Sequence, residues 1–220
     1  MLELKTTETT IFLSQDEDVL AAKLVLVRPV LKTTKRTIDV LISIFLLTVL
    51  SVTLLPIVSF LILIDSRGPV FYTQLRNGIN GSTFTCYKFR TMRPGIERSG
   101  MDEEYRITQV GKYLRLLHID ELPQLLNVLS GQMSLVGPRP HMLSDTERFE
   151  TLVPGYHKRH LVKPGITGLA QINGCFGWVN EISDLERRVH YDVEYIRTMS
   201  IWGDLRIVFW TMVLPIRKLF

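Results

Sequence analysis

The chain carries its most apolar stretch between residues 40 and 64, where it reads VLISIFLLTVLSVTLLPIVSFLILI. None of these 25 residues is charged, and 19 of them are apolar. As one helix the stretch would be about 37 Å long, and the hydrocarbon core of a bilayer is about 30 Å thick. It begins well inside the chain, and its apolar run is too long for the core of a cleaved signal peptide. The sequence therefore predicts one membrane segment followed by one folded domain.

Pro56 and the flanking charges leave two arrangements open for this segment. A proline inside a helix removes a backbone hydrogen bond, so we expect a kink between Ser51 and Pro56. Basic residues flank the segment on both sides: Arg28, Lys32, Lys35, Arg36, Arg67 and Arg76. A spanning helix concentrates basic residues on its cytoplasmic side. The distribution suits a re-entrant helix–break–helix hairpin, but the second group of charges could also belong to the folded domain behind a straight span.

Overall composition excludes several classes of protein. With 46% hydrophobic and 22% charged residues, the chain is neither a disordered tail nor a polytopic transporter. The two cysteines, Cys86 and Cys175, lack CxxC spacing, which indicates a reducing compartment without a structural zinc site. A net charge of +4 suits an anionic lipid surface or phosphorylated substrates. It is too small, and its basic residues too dispersed, to indicate a nucleic-acid partner.

A hairpin is expected at the start of the folded domain. The run Asn77–Gly81, NGING, is typical of a turn between two short strands within Pro69–Tyr87. The following extended segment, YKFRTM, places Lys88 and Arg90 on one face. Taken alone, those two cations could equally be a solvated strand face.

The most informative stretch is DELPQLLNVLSG, residues 120 to 131. It follows a short helix expected over Ile107–Leu117, and its leucine spacing predicts a second helix with Pro123 in the first position. Asp120 and Glu121 would then lie just before a helix N-terminus, where carboxylates and phosphates are favoured. Two adjacent carboxylates can divide their roles, one attacking phosphorus and the other helping to hold Mg²⁺. A simple acidic helix cap is the alternative.

Two further segments carry hypotheses. A short strand is expected over Gln132–Val136, followed by GPRP, in which two prolines fix Arg139 as a fork for phosphate; a structural turn with a surface arginine is the alternative. Ile201–Phe220 is predicted to be an amphipathic helix that lies at a membrane interface, or else packs against the core.

Taken together, these motifs resemble the bacterial sugar transferases, or monotopic phosphoglycosyl transferases. The resemblance covers roughly residues 35 to 214. It rests on Lys35–Arg36, Pro56, YKFRTM, Arg115, DELPQL, MSLVGPRP, KPGITG and AQING. The segments PGY, AQING, Arg187–Arg188 and YDVEYI are most similar to the undecaprenyl-phosphate glucose phosphotransferases of exopolysaccharide and capsule synthesis. Leu55 departs from the family, which often has serine before the kink proline.

The resemblance implies roles for particular residues. Asp120 would be the nucleophile and Glu121 a catalytic residue that binds or positions Mg²⁺. Arg115 and Arg139 would hold substrate phosphates, and Lys88 and Arg90 would add contacts in the same basic pocket. Pro56 would mark the break of the membrane hairpin. The implied reaction moves hexose-1-phosphate, with glucose-1-phosphate expected first, from a UDP-sugar to undecaprenyl phosphate and releases UMP.

The resulting expectation is a mixed, helix-rich α/β, membrane-associated domain with a re-entrant hairpin and a C-terminal interfacial helix. Its expected parts are a lead-in (1–34), a re-entrant or spanning membrane helix (35–66) and a cytoplasmic transferase domain (67–220). We expect the bacterial inner membrane as location, anionic lipids as contacts, a homodimer as one possible assembly and no nucleic-acid partner. The alternatives are the same reaction with galactose or an N-acetylated sugar, and a non-catalytic membrane adaptor of a polysaccharide assembly complex.

Overall fold

A computed structural model of the chain describes residues 29–94, 106–177, 179 and 181–217, with the backbone alone for 29–30 and 214–217. Two helices come first, α1 (Pro29–Val52) and α2 (Leu54–Asp65). Helix α1 begins before the expected boundary at Lys35, and the rest of the predicted lead-in, residues 1 to 28, lies outside the described residues.

The two helices meet at Thr53 with a bend of 56°. The Thr53 hydroxyl donates to the carbonyl of Val49 at 2.9 Å, and the hydroxyls of Thr48 and Ser51 donate in the same way to the preceding turn. Such back-bonding bends helices, and Pro56 lacks the N–H that would close the next turn. The kink therefore lies where the sequence predicts it.

Among the described helices, none is by itself both long and apolar enough to cross a membrane. The bent pair, Leu31–Val52 with Leu54–Asp65, meets that requirement in length and composition when its two helices are taken together.

The folded domain is a mixed, helix-rich α/β structure, as predicted. The strands β1 (Phe71–Asn77) and β2 (Thr83–Phe89) form an antiparallel hairpin in which Phe71 faces Phe89. The tight turn between them contains Asn80 and Gly81 with positive φ, which confirms the turn signal in the sequence. The remaining elements are α3 (Gln109–Leu116), α4 (Leu125–Leu129), β3 (Ser134–Val136), α5 (Leu143–Leu152), β4 (Gly165–Thr167), α6 (Leu169–Ile172), α7 (Ile182–Thr198) and α8 (Ile201–Arg217).

Three short 3₁₀ helices, Ile79–Gly81, Ile119–Gln124 and Tyr156–Leu161, connect these elements within the described residues. Strand β3 pairs in parallel with β4, and the main core lies between this small sheet, β2, α4, α7 and α8. Its largest buried members include Met133, Tyr195 and Ile196.

Both helices of the bent pair pack on this same domain. Helix α1 lays Ile42, Leu46 and Leu47 against the main core. Helix α2 buries Val58 and Ile62 in a second cluster formed with Phe89 of β2 and Leu114 of α3.

Polar contacts fix the start of α1 to the domain. Asp39 is buried and accepts hydrogen bonds from the Ser134 hydroxyl at 2.8 Å and the Leu135 amide at 3.1 Å. Lys35 forms an ion pair with Asp204 of α8 at 2.5 Å. Arg36 donates to carbonyls at the end of α4. These contacts hold β3, the strand that leads directly into the GPRP segment.

Helix α8 confirms the predicted C-terminal helix over its described part. Its buried side includes Asp204 and Ile207, whereas large apolar side chains lie on its exposed side: Trp202, Leu205, Phe209 and Met212. Residues 218–220 of the predicted segment lie outside the described residues.

Candidate active site

Asp120 and Glu121 lie inside the 3₁₀ helix Ile119–Gln124, which also contains Pro123. The prediction that both carboxylates precede an α-helix with Pro123 in first position is wrong, because α4 begins only at Leu125 and has five residues. A helix that short supplies little dipole, so the surrounding side chains must set the electrostatics of the pair. Both carboxylates are nearly buried, Asp120 being 9% and Glu121 6% exposed.

Three hydrogen bonds from two cations clamp the Glu121 carboxylate. Arg139 reaches both of its oxygens, at 2.9 Å and 2.5 Å, and the Lys88 ammonium lies 2.6 Å from Oε1. Burial alone would raise the pKa of the Glu121 carboxyl, but the charges and hydrogen bonds of Arg139 and Lys88 outweigh it and hold that pKa well below its usual range. Glu121 is therefore a permanent anion that orients both cations.

Asp120 is different. Within the described residues, no hydrogen bond reaches its carboxylate oxygens, although it lies next to the clamped Glu121. Burial first, and the charge of Glu121 second, raise the pKa of Asp120 to about 6, while the charges of Lys88, Arg139 and Arg115 act in the opposite direction. The result is a carboxylate that is ionised at neutral pH and more basic than an ordinary aspartate, which are the properties of a nucleophile.

Arg115 comes from the last turn of α3, where its Nε donates to the Thr91 hydroxyl at 3.0 Å. The Thr108 hydroxyl caps the start of that helix by accepting from the Gly111 amide. At Gly111 an added Cβ would lie 2.3 Å from the carbonyl oxygen of Thr91, so only glycine lets the helix approach this closely. The packing thus fixes the turn that carries Arg115.

Arg90 is placed elsewhere, which differs from the expectation of a pocket shared with Lys88. Its guanidinium is 5% exposed and donates to the carbonyls of Ile62, Ser66 and Arg67. These groups lie at the C-terminal end of α2, where carbonyls lack helical partners. Arg90 therefore fastens the end of the bent pair to β2.

Arg139 is held by the backbone around it. The Gly137 amide donates to the Thr167 carbonyl and the Gly165 amide to the Pro138 carbonyl, both at 2.9 Å. The two backbone segments come so close at this point that a Cβ on Gly165 would lie 2.1 Å from the Gly137 nitrogen. The expectation of a rigidly presented arginine in the GPRP segment is confirmed in its geometry.

Sequence reasoning missed a buried layer behind Arg139. Arg159 donates to the Arg139 carbonyl at 2.7 Å and forms an ion pair with Asp192 of α7, also at 2.7 Å, with both side chains 1% exposed. His141 lies between Arg159 and Arg188 and contacts the Tyr156 hydroxyl at 2.6 Å. Burial and the neighbouring guanidinium groups lower the pKa of His141 well below its usual value, so its ring is neutral. One signal was present, because Arg188 and Asp192 lie on the buried face of α7 with helical spacing.

The donors present do not form a Mg²⁺ site by themselves. In the described part of the chain, no three His, Cys, Asp or Glu side chains gather as metal ligands. Both oxygens of Glu121 accept hydrogen bonds from Arg139 or Lys88, and these two cations supply the positive charge that a bound metal would otherwise supply. The residues as arranged therefore do not fit a protein-held Mg²⁺.

A small cleft opens beside this cluster. Its walls are Arg76, Cys86, Lys88, Gln124, Arg139 and Pro140. Three of these six residues carry positive charge, so the electrostatic potential of the cleft favours an anion next to the carboxylate pair.

Comparison with known proteins agrees with this geometry. The sequence profile described as "Bacterial sugar transferase" matches residues 30–218. The chain belongs to this family. The match includes the bent helix pair as well as the folded domain.

Several characterised relatives of this bacterial sugar transferase are similar in sequence. UDP-glucose:undecaprenyl-phosphate glucose-1-phosphate transferase of Klebsiella pneumoniae is 45% identical over 183 residues, which are 81% of this chain and 39% of that protein. Exopolysaccharide production protein PSS of Rhizobium leguminosarum bv. phaseoli is 44% identical over 187 residues, 81% of this chain and 93% of that protein. UDP-N-acetylgalactosamine-undecaprenyl-phosphate N-acetylgalactosaminephosphotransferase of Aeromonas hydrophila is 39% identical over 188 residues, 84% of this chain and 44% of that protein. The chain thus spans well under half the length of two of these three relatives.

Proposed function

We propose that the chain transfers hexose-1-phosphate, with glucose-1-phosphate as the first candidate, from a UDP-sugar to undecaprenyl phosphate and releases UMP. The observation that carries this proposal is the unequal carboxylate pair, in which Asp120 is basic and receives no hydrogen bond from the described residues, whereas Glu121 is clamped by Arg139 and Lys88. The names of the Klebsiella and Rhizobium relatives support the donor, the acceptor and a place at the start of exopolysaccharide assembly.

In the first step, an Asp120 oxygen attacks the phosphorus that bears the sugar. A new bond forms between that oxygen and phosphorus, and the bond from phosphorus to the bridging oxygen breaks. UMP leaves with the bonding electron pair, and the sugar phosphate stays on Asp120 as a mixed anhydride. In the second step, a phosphate oxygen of the lipid attacks the same phosphorus, which frees the Asp120 carboxylate and yields the lipid diphosphate sugar.

The basic residues around the pair have distinct tasks in this reaction. Arg139 and Lys88 supply positive charge for the phosphoryl oxygens, and Glu121 orients them before substrate arrives. Arg115 acts on the Asp120 side of the pair, where its charge favours the ionised carboxylate. Because the site is nearly buried, these charges interact more strongly than they would in water.

The bent helix pair is proposed to enter and leave the membrane on one side. Support comes from its two ends, since Asp39 in α1 and the carbonyls of Ser66 and Arg67 after α2 all bond to the same folded domain. A straight span would place those ends on opposite sides of the bilayer. The exposed apolar side chains of α8 support an interfacial position for that helix, beside anionic lipids.

This arrangement gives each proposed part of the chain a role. Residues 35–66, with the break at Thr53 just before Pro56, form the membrane hairpin, and residues 67–220 form the transferase domain on the cytoplasmic face of the bacterial inner membrane. The hairpin then holds Asp120 where a soluble nucleotide sugar and a lipid phosphate can both reach it.

Intact-mass analysis tests the covalent step. Purified protein incubated with UDP-glucose and no lipid acceptor should release UMP and gain the mass of one hexose phosphate. Asp120→Asn should lose both signals, whereas Asp184→Asn, an exposed aspartate on α7, should keep them. An Asp120→Asn variant that still forms the adduct would contradict the assignment.

A panel of UDP-sugars separates the remaining alternatives. Galactose or N-acetylated donors would replace glucose if they gave the faster UMP release, and the Aeromonas relative makes the N-acetylated donors worth including. A non-catalytic membrane adaptor would release no UMP with any donor. Light scattering of the detergent complex would establish whether the active species is a homodimer.

Cysteine labelling tests the membrane topology. Lys32→Cys and Arg67→Cys introduce thiols at exposed positions near the two ends of the bent pair, while the native Cys86 and Cys175 are buried. In sealed vesicles both new thiols should react with an impermeant reagent from the same side. Labelling from opposite sides would establish a straight span.

A further inference from the structure

Arg76 is a cation of the cleft to which the proposed reaction assigns no role. It lies near the end of β1 and lines the cleft together with Lys88 and Arg139. Lys88 and Arg139 both form ion pairs with Glu121, with their nitrogens 2.6 Å and 2.5 Å from its Oε1.

The partners of Arg76 are all neutral. Its Nη1 donates to the Pro140 carbonyl at 3.1 Å and its Nη2 to the Gln74 side-chain oxygen at 2.8 Å. Of the three cations that line the cleft, and counting partners within the described residues, Arg76 alone has no carboxylate in direct contact. A largely buried guanidinium without a counter-charge is costly unless an anion joins it.

The backbone around Arg76 is fixed to the loop that carries Arg139. Arg76 forms an antiparallel β-bridge with Met142 through the backbone, and the Asn77 amide donates to the His141 carbonyl at 3.2 Å. Gln74, which holds Nη2, itself donates to the Met142 sulfur at 2.6 Å. The guanidinium therefore has one prepared position beside the cleft, and little ordering is needed when a ligand binds.

The residues behind the cleft also carry more positive than negative charge. Behind it lie Arg159 and Arg188, and the acidic partner in contact with either of them is Asp192. Arg188 contacts the neutral His141 ring at 3.3 Å and the Gly177 carbonyl at 3.1 Å. An anion in the cleft would thus enter a positive field that the described carboxylates do not cancel.

We infer that this cleft is a subsite for a second phosphate group, one that does not react with Asp120, and that Arg76 is the residue that binds it. The inference rests on the proposed function for the source of that phosphate. The shared chemistry is a phosphate monoester, supplied by the nucleotide that leaves in the first step or by the lipid acceptor in the second. Arg76 would bind it with the N–H groups that Pro140 and Gln74 leave unused.

Direct binding of UMP is the first measurement. Titration of the detergent-solubilised full chain with UMP should show a dissociation constant about 10-fold or more higher for Arg76→Gln than for wild type. Arg76→Lys should recover part of the affinity, because it restores the charge without the fork. The matched control is Arg148→Gln, which removes one positive charge from an exposed position on α5 and should bind UMP like wild type.

Steady-state kinetics identifies the source of the phosphate. A higher KM for the UDP-sugar together with weaker UMP binding assigns the subsite to the nucleotide. A higher KM for undecaprenyl phosphate with unchanged UMP binding assigns it to the lipid. Arg76→Gln with wild-type UMP affinity and both KM values unchanged would overturn the inference.

Folding and the proposed function are controlled separately. The melting temperature of Arg76→Gln identifies a variant that merely unfolds. In that case the milder Arg76→Lys decides: a UMP affinity below that of wild type or a raised KM supports the subsite, and wild-type values for all of them overturn the inference. If wild type releases no UMP from any UDP-sugar, the proposed function fails. The UMP titration still tests the subsite, because it needs no turnover.

Discussion

Replacing the proposed nucleophile should make the folded protein more stable. Asp120 is 9% exposed, and within the described residues no hydrogen bond supports its charge. Its pKa is raised from the ordinary value of 3.8 to about 6, chiefly by burial and then by the charge of Glu121. The folded state therefore holds this carboxylate in its charged form at a cost that the unfolded state does not have.

The sign and size of the effect follow from that pKa. Above about pH 6 the folded protein carries a charged Asp120 at a penalty of about 3 kcal/mol, and below about pH 4 the penalty vanishes because both states are protonated. Asp120→Asn has a similar shape and no charge. The variant should gain up to about 3 kcal/mol at pH 7.5, which corresponds to roughly 6–12 °C in Tm for a chain of this size.

Thermal unfolding followed by tryptophan fluorescence in one detergent is a suitable assay. Wild type, Asp120→Asn and the exposed control Asp184→Asn would be compared at pH 7.5 and at pH 4. The Asp120→Asn advantage should be present at pH 7.5 and shrink at pH 4, while Asp184→Asn should follow wild type at both. A lower Tm for Asp120→Asn at pH 7.5 would refute the reasoning, because it would mean that the charge stabilises the fold.

Three further outcomes are expected from the same geometry. The rate of UMP release in the first half-reaction should fall about tenfold between pH 7 and pH 5, because a carboxyl with a pKa of about 6 is then mostly protonated; rapid-quench assays that show a constant rate would contradict it. Glu121→Gln should lower Tm at pH 7.5, because it leaves Lys88 and Arg139 facing a neutral amide, a change that typically costs about 3–5 kcal/mol when a buried pair is broken. Since the pKa of Glu121 is depressed in the fold, this loss should diminish only as the pH falls below the ordinary pKa of the carboxyl, 4.5; an unchanged Tm at pH 7.5 would contradict the clamp. Asp192→Asn should destabilise the folded protein by a similar amount, because it leaves the buried Arg159 guanidinium without its carboxylate partner. The same fluorescence melt measures this, and a variant as stable as wild type would contradict the proposed role of the buried layer behind Arg139.

The sequence allowed much of the fold to be predicted because the deciding signals are local. The NGING turn depends on residues that tolerate positive φ, and Asn80 and Gly81 adopt it. The kink depends on Pro56 and nearby hydroxyls, and it lies at Thr53. The error at Asp120 came from treating Pro123 as the first residue of an α-helix, when it lies inside the 3₁₀ helix Ile119–Gln124 and the α-helix begins only at Leu125. Leu126, one of the leucines whose spacing predicted the helix, is 48% exposed.

The candidate site was only partly predictable, because its electrostatics depend on long-range packing. Lys88 and Arg139 meet at Glu121 although 51 residues of sequence separate them, and no local pattern encodes that meeting. Arg90 lies two residues from Lys88, yet it turns to the end of α2. Spacing on a strand identifies which residues share a face, but the neighbouring element decides what each of them binds.

The bent helix pair and the candidate site are connected through a short stretch of chain. Asp39 holds Ser134 and Leu135, Lys35 donates to the Val136 carbonyl at 3.1 Å, and the next residues carry Arg139 to Glu121. A shift of α1 relative to the domain would therefore displace β3 and loosen the clamp on Glu121. Glu121 in turn contributes to the raised pKa of Asp120, the property that suits Asp120 to its proposed role as nucleophile. The position of α1 and the basicity of the proposed nucleophile thus depend on one continuous set of contacts, so the proposed membrane hairpin would take part in the proposed chemistry as well as in attachment.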